Sequence, residues 1–261
     1  MNTIISKDGT KIAYNKNGTG PTVILVDGAF CSKDFGPTPK LVPVLANYFT
    51  VISYDRRARG DSGDTQPYSV QREIEDIEAL INVAGGTAHL FGVSSGAVLA
   101  LKVAAGGLPI GKLVVFEPPY NTDGRRRKPL PDAELQLKQM IAKGRKKDAV
   151  NFYLRKVIGL PSIVTFILRL TPNWSKMIGN ANSLPYDAAV MGNFILPNEM
   201  LASIKIPAMV IASAKSPESL KNPAQLVAQT IPNSQQRILK GQVHNVPPQH
   251  LVPVLVDFYN N

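Results

Sequence analysis

Gly92-Val93-Ser94-Ser95-Gly96 is where residue type and spacing in this 261-residue chain point to chemistry. The segment follows the apolar run AHLFGV and opens the apolar run SGAVLALKVAA, so a G-x-S-x-G pattern stands where a strand turns sharply into a helix. Glycines flank the serine because a turn that strains the serine backbone leaves no space for neighbouring Cβ atoms. Ser94 would project its hydroxyl at the tip, with a helix N-terminus behind it favouring developing negative charge. The bland alternative is an ordinary glycine-rich turn between strand and helix.

A serine hydroxyl is a weak nucleophile until a base takes its proton, so the pattern requires a histidine from elsewhere in the fold. Three are available. His89 lies inside the strand before the turn and reads as a packing residue, and His250 falls in the last predicted helix. His244, in Gly241-Gln242-Val243-His244-Asn245-Val246, occupies a loop between the last predicted strand and that helix and is the best-placed base.

The elements that must position these groups alternate in type. Short β-branched runs predict strands at Thr22 to Val26, Phe49 to Tyr54, Ala88 to Val93, Lys112 to Phe116, Ala208 to Ala212 and Gln236 to Leu239. The opening IISKDGTKIAYNKNG predicts a hairpin around Asp8-Gly9, with strand alternation over Lys11 to Asn15. Helical periodicity covers Val70 to Val83, Ser95 to Ala105, Ser219 to Thr230 and Pro248 to Tyr259. Strands alternating with helices imply an α/β fold with a parallel sheet and an antiparallel edge. The alternation stops at Pro118-Pro119 and resumes at Ile206-Pro207. Between them lie helical patterns at Asp132 to Gly144, Lys147 to Val157 and Ile163 to Leu170, which read as a lid over the carboxyl edge of the sheet.

Lys plus Arg is 29 and Asp plus Glu is 19, a formal net charge of +10. The surplus is local: residues 121 to 180 carry 13 basic and 4 acidic side chains. The runs Arg125-Arg126-Arg127-Lys128 and Arg145-Lys146-Lys147 read as a solvated face of the lid, or as a means of steering an anionic substrate. They lack the aromatic interleaving of a single-strand groove, so no nucleic-acid partner is expected. Cys31 is the single cysteine, which rules out an internal disulfide and a multi-cysteine zinc site. No histidine spacing suggests a metal, and no usable phosphate-binding glycine loop suggests a nucleotide, so no cofactor is expected. Without a visible secretory leader or a membrane-spanning apolar run, a cytoplasmic protein is expected.

The ordered landmarks VILVDGAF, YDRRARGDSG, GVSSG, FEPPY and GQVHNV resemble the α/β-hydrolase fold superfamily, in its lid-bearing, esterase-like, haloperoxidase-like and haloalkane-dehalogenase-like form. The resemblance covers nearly the whole chain. It implies a mostly parallel eight-stranded sheet with an N-terminal antiparallel hairpin, helices on both faces and a helical lid after the sixth strand. Residues 1–119 and 206–261 would form the core and 120–205 the lid. Such proteins usually carry His-Gly after the third strand, where this chain has Asp27-Gly28-Ala29. A backbone donor survives a side-chain change, so the backbone N–H groups of Ala29 and Ser95 are the expected oxyanion hole. Asp27 is expected to turn away from the hole and hold Arg56 or Arg57, because a buried charge needs a partner.

The usual place for a triad acid, after IPAMVIAS, reads Ala214-Lys215-Ser216-Pro217-Glu218 and has no aspartate. Ser216 or Glu218 could serve there. The resemblance to dehalogenases favours Glu117, at the end of the strand after the nucleophile helix, and Asn245 is a neutral alternative. Serine at the turn argues against dehalogenation itself, which needs a carboxylate nucleophile. The residues then imply a serine hydrolase of small or medium carboxylic esters, with Ser94 as nucleophile, His244 as base and Glu117 as acid. A lyase or perhydrolase-like enzyme on the same residues, or a catalytically silent ligand receptor, are the alternatives. Arg56, Arg57 and Arg59 are expected to fix their loop through carboxylates. Trp174, Phe152, Phe166 and Tyr186 line an acyl pocket or pack the lid. Cys31, near the oxyanion turn, either touches the pocket or packs as a small hydrophobe.

Overall fold

Alternation along each central strand supplies two apolar faces, and helices cover both. In the computed structural model, which describes residues 1–122 and 132–261, the strands are β1 (Asn2–Ile5), β2 (Lys11–Asn17), β3 (Thr22–Val26), β4 (Thr50–Tyr54), β5 (Ala88–Val93), β6 (Ile110–Phe116), β7 (Ala208–Ser213) and β8 (Ser234–Leu239). They form one sheet in the order β1-β2-β4-β3-β5-β6-β7-β8. β1 pairs antiparallel with β2 and β2 antiparallel with β4, while every other neighbouring pair is parallel.

The helices before the sixth strand are α1 (Thr38–Leu45), α2 (Val70–Val83) and α3 (Ser95–Ala105). Between β6 and β7 come α4 (Ala133–Ala142), α5 (Lys146–Phe152), a π turn (Tyr153–Ile158), α6 (Ser162–Arg169), α7 (Asn173–Gly179), a 3-10 turn (Asn180–Ser183), α8 (Leu184–Met191) and α9 (Asn198–Ser203). The chain closes with α10 (Glu218–Thr230) and α11 (Pro248–Asn260). In β3, Ile24 and Val26 face a cluster built with Ile77, Leu80 and Leu99 from α2 and α3. Val23 and Leu25 face the opposite cluster with Leu41, Leu45 and Leu255 from α1 and α11. This period of two puts the sheet between two helical layers.

The helices between β6 and β7 have an apolar cluster of their own, in which Leu137, Val150, Tyr153, Leu154 and Leu184 enclose Phe30 from the loop after β3. One local expectation changes, and four helices were not expected. The helix expected over Lys147 to Val157 is α-helical only to Phe152 and then widens into the π turn. α1 was hidden by two prolines; Pro39 sits in the first turn, where its missing N–H costs nothing, and Pro43 lies inside. α7, α8 and α9 occupy the stretch between Leu170 and Ile206, where no helix was expected.

Candidate active site

Four strand ends meet at the carboxyl edge of the sheet, and the candidate residues sit on them. Ser94 leaves β5 at φ +54° and ψ −122°, a strained geometry for a residue with a side chain, and α3 begins at Ser95. The flanking glycines have a steric reason. A Cβ on Gly92 would lie 2.7 Å from the Gly96 carbonyl oxygen and 2.8 Å from Ala97 Cα, and one on Gly96 would lie 2.1 Å from the Val26 carbonyl oxygen. Only glycines let α3 approach β3 and β5 this closely.

Val93 is in register with Phe116 on β6, and the Ser94 N–H donates to the Phe116 carbonyl at 3.0 Å. The next residue, Glu117, has φ +47° and is fully buried. Its Oε1 accepts the Ser213 N–H from the end of β7 at 2.7 Å, and its Oε2 lies 2.5 Å from His244 Nδ1. The His244 ring stacks on Phe116 with centroids 5.5 Å apart, and Ser213 Oγ donates to the Val243 carbonyl, holding the loop after β8. With Nδ1–H given to the carboxylate, Nε2 carries the free lone pair. Phe116 thus bridges the two halves: its carbonyl receives the Ser94 N–H and its ring supports His244.

The other candidates for the acid lie elsewhere. Glu218 is exposed and pairs with Lys221 at 2.6 Å. Ser216 is buried, and among the described residues its hydroxyl has no partner. Asn245 is exposed beside His244. His89 stacks on Tyr259 at 4.9 Å, a packing role, and burial followed by the Lys112 charge lowers its pKa. His250 is exposed on α11.

Gly28 packs against the Ser94 turn, where an added Cβ would lie 3.1 Å from Ser94 Cβ. Ala29 follows it, and Ser95 is the first residue of α3, whose N–H has no intrahelical acceptor. Among the described residues neither the Ala29 nor the Ser95 N–H donates to another group. Both are free to receive developing negative charge.

Asp27 corrects an expectation. Its side chain does not hold Arg56 or Arg57; Oδ2 accepts the Thr38 hydroxyl from the start of α1 at 2.6 Å, and only its backbone carbonyl meets Arg56, at 3.3 Å. Burial pushes the carboxyl up to about 7, against the Thr38 hydrogen bond and the Arg59 and Arg56 charges. Below that value the carboxyl is neutral, and a hydroxyl rather than a cation suffices as its partner.

The arginines find other carboxylates. Arg56 makes a bidentate pair with Glu73 at 2.6 and 2.8 Å and donates to Asp187 Oδ1 at 2.8 Å. Arg59 pairs with Asp187 Oδ2 and donates to the Gly28 carbonyl at 2.6 Å, the Cys31 carbonyl at 3.1 Å and Ser183 Oγ at 2.6 Å. Arg57 pairs with Asp76 at 2.6 Å and Asp8 at 2.8 Å, away from the site. Asp187, on α8, also accepts the Ser95 hydroxyl at 2.8 Å. Burial alone would raise its pKa, but Arg59 and Arg56 hold it below the usual carboxylate range.

Sequence reasoning missed Asp187 and Ser183, although an aspartate inside the apolar run LPYDAAVM is a signal that a buried cation waits for it. Among the residues named for an acyl pocket, Tyr186 is buried and stacks on Tyr68 at 3.7 Å, and Trp174 and Phe152 pack against the cluster around Phe30. Phe166 is corrected, because it is 55% exposed. Cys31 Sγ packs against Gly36, where an added Cβ would lie 2.6 Å from it, and burial pushes the thiol up to about 12. Arg125 to Lys128 lie outside the described residues. Among the described residues no group of three or more His, Cys, Asp or Glu could hold a metal ion, and no helix is long and apolar enough to cross a membrane.

Comparison with known proteins follows the same outline. A model of the alpha/beta hydrolase family matches residues 23–253. A solved alpha/beta hydrolase from Sphaerobacter thermophilus DSM 20745 is 46% identical, with 99% of this chain and 100% of that one covered, at a TM-score of 0.93. An uncharacterized hydrolase, YraK, of Bacillus subtilis (strain 168) is 33% identical over 99 residues, 36% of either chain. An N-formylmaleamate deformylase of Pseudomonas putida is 37% identical over 89 residues, 33% of either chain. The chain spans only about a third of the length of these two curated relatives.

Proposed function

This chain belongs to the alpha/beta hydrolase family, and from that premise we propose that it is a serine hydrolase cleaving a small or medium carboxylic ester through an acyl-enzyme. The observation that carries the reading is the Glu117–His244 contact of 2.5 Å, made at the strand end next to strained Ser94. Ser94 Oγ attacks the carbonyl carbon while His244 Nε2 takes its proton, and Glu117 stabilises the imidazolium through Nδ1–H. The oxyanion is received by the Ala29 and Ser95 N–H groups. His244 then protonates the leaving alcohol, and water, activated by the same base, releases the acid and restores Ser94.

In this reading residues 1–119 and 206–261 form the catalytic core, and 120–205 form a cap that sets access for a small substrate. A second reading, hydrolysis of an N-formyl amide, is favoured by the partial match to the deformylase and uses the same residues.

Intact-mass analysis after exposure to a fluorophosphonate tests nucleophile activation before the substrate is known. One adduct is expected on wild type and none on Ser94→Ala or His244→Ala. A folded wild type that takes no adduct and leaves a model ester unhydrolysed would sink the reading in favour of a silent ligand receptor. Side-by-side turnover of p-nitrophenyl esters and an N-formyl amide then separates the two substrate classes.

A further inference from the structure

Helix α6 faces the wrong way for a surface helix of a water-soluble domain. Seen down its axis, Ile163, Val164, Phe166 and Ile167, with Leu170 just beyond its end, share about half the circumference. That apolar half is the one turned to solvent. Ile163, Phe166 and Ile167 are 63%, 55% and 55% exposed and Leu170 is 73% exposed. The buried residue is Thr165, whose hydroxyl is satisfied locally by the Ser162 carbonyl at 2.8 Å. Amphipathic surface helices bury the apolar stripe and expose the polar one, and a contiguous apolar patch of this kind marks a contact surface. The π turn extends it with Ile158, 42% exposed.

Along the chain, the stripe lies in a stretch whose charge has one sign. From Ala149 through Tyr186 the chain carries no Asp or Glu, but it does carry Arg155, Lys156, Arg169 and Lys176. Lys156 stands on the π turn and Lys176 on α7, two elements that pack against α6, and the Lys176 ammonium lies 5.4 Å over the Phe35 ring. Among the described residues Arg169, at the end of α6, bonds neutral partners: the Asn151 side-chain oxygen, at 2.7 Å, and the face of Trp174. A symmetric pair of chains would match the apolar stripes but set each basic rim against its own copy, which opposes self-association. A surface that offers anionic headgroups over an apolar interior satisfies both features at once.

We infer that α6 and its basic rim form an interfacial contact that seats the protein on an anionic phospholipid bilayer. Ile163, Phe166, Ile167 and Leu170 enter the headgroup and acyl boundary, while Lys156, Arg169 and Lys176 meet the lipid phosphates. The contact is peripheral and involves no spanning helix. It is separate from Ser94, Glu117 and His244, so it stands or falls independently of the proposed reaction.

Cosedimentation with vesicles tests it, using equal parts phosphatidylcholine and phosphatidylglycerol beside phosphatidylcholine alone. Wild type should partition onto the mixed vesicles at least about tenfold more strongly than onto the neutral ones, and added salt should weaken the binding. The double variant Phe166→Glu, Ile167→Glu should lose about tenfold or more of that partition while keeping its melting temperature, because both side chains are exposed. Equal binding by the double variant, or no binding of wild type to either vesicle, overturns the inference. So does a wild type that elutes as a dimer which the double variant dissociates, since a second copy would then cover the stripe.

Discussion

Asp187 Oδ1 accepts the Ser95 hydroxyl at 2.8 Å, across 92 positions of chain, and so ties α8 to the first residue after Ser94. The same carboxylate pairs with Arg56 and Arg59, and Arg59 in turn holds the carbonyls of Gly28 and Cys31 on either side of Ala29. One buried ionic cluster therefore fixes both backbone segments whose N–H groups are proposed to receive the oxyanion.

In the proposed mechanism Asp187 is accordingly a positioning residue. Asp187→Asn should cost about 3–5 kcal/mol of stability, measured by urea unfolding, because Arg56 and Arg59 lose a buried counter-charge. At a temperature where it remains folded, its kcat should fall by up to about 100-fold with KM little changed, since a misplaced oxyanion donor acts on the transition state. Ser95→Ala keeps the N–H but removes the tether, so its kcat should fall too. Asp187→Asn added to it should then lower kcat little further while still destabilising the fold. Fully additive kcat losses would show that Asp187 does not act through Ser95.

In the proposed mechanism Glu117 decides the proton chemistry. Glu117→Gln keeps the shape but replaces the carboxylate that holds Nδ1–H, so kcat and fluorophosphonate labelling should drop by about 10⁴-fold. Glu218→Gln and Ser216→Ala should stay within about twofold of wild type, because surface and packing positions off the site carry no transition-state charge. A large loss in either of these with none in Glu117→Gln would reassign the acid.

Asp27 makes stability depend on pH. With its folded pKa raised to about 7 by burial, the native protein keeps a proton that an unfolded aspartate, near about 3.9, has already released. The contribution of Asp27 is thus most favourable below about 4, falls as pH rises, and is level above about 7. Asp27→Asn keeps an acceptor for Thr38 without the charge. Its stability relative to wild type should rise by about 4 kcal/mol between those limits, from the shift of about three units. Parallel unfolding curves for the two proteins across that range would refute the assignment.

Two glycines should behave oppositely when changed to alanine. Gly96→Ala drives a Cβ to 2.1 Å from the backbone oxygen of Val26, which neither α3 nor β3 can relieve, and should cost about 3 kcal/mol or prevent folding. Gly179→Ala meets nothing within 4 Å at the end of α7 and should stabilise by about 0.5–1 kcal/mol. Thermal unfolding of both variants checks the pair.

Much of this was legible along the chain. β3 and β5 and helices α2 and α3 start and stop where local periodicity and the flanking glycines place them, because each pattern is complete within one element. β6 begins at Ile110 rather than Lys112 and β8 at Ser234 rather than Gln236. Edge residues such as Ser234 and Gln235 are polar and pair only because β7 lies beside them. α1 and α8 were obscured by proline, which punctuates a sequence even where, in a first turn, it fits the helix.

The sequence by itself determined the strand-to-helix turn at Ser94, the alternation of strands and helices, and the loop that holds His244. These are short-range patterns, and the physics that imposes them acts within a few residues. Tertiary structure alone decided which carboxylate reaches His244, since Glu117 is 127 positions away and only the adjacency of β6, β7 and β8 brings it there. It also gave Asp27 a hydroxyl in place of an arginine, and gave Arg56 and Arg59 the distant Asp187. For α6 the sequence specified an apolar stripe but not its direction. Periodicity is unchanged when a helix rotates about its axis, and only the packing of Thr165 inward turned Phe166 and Ile167 toward solvent.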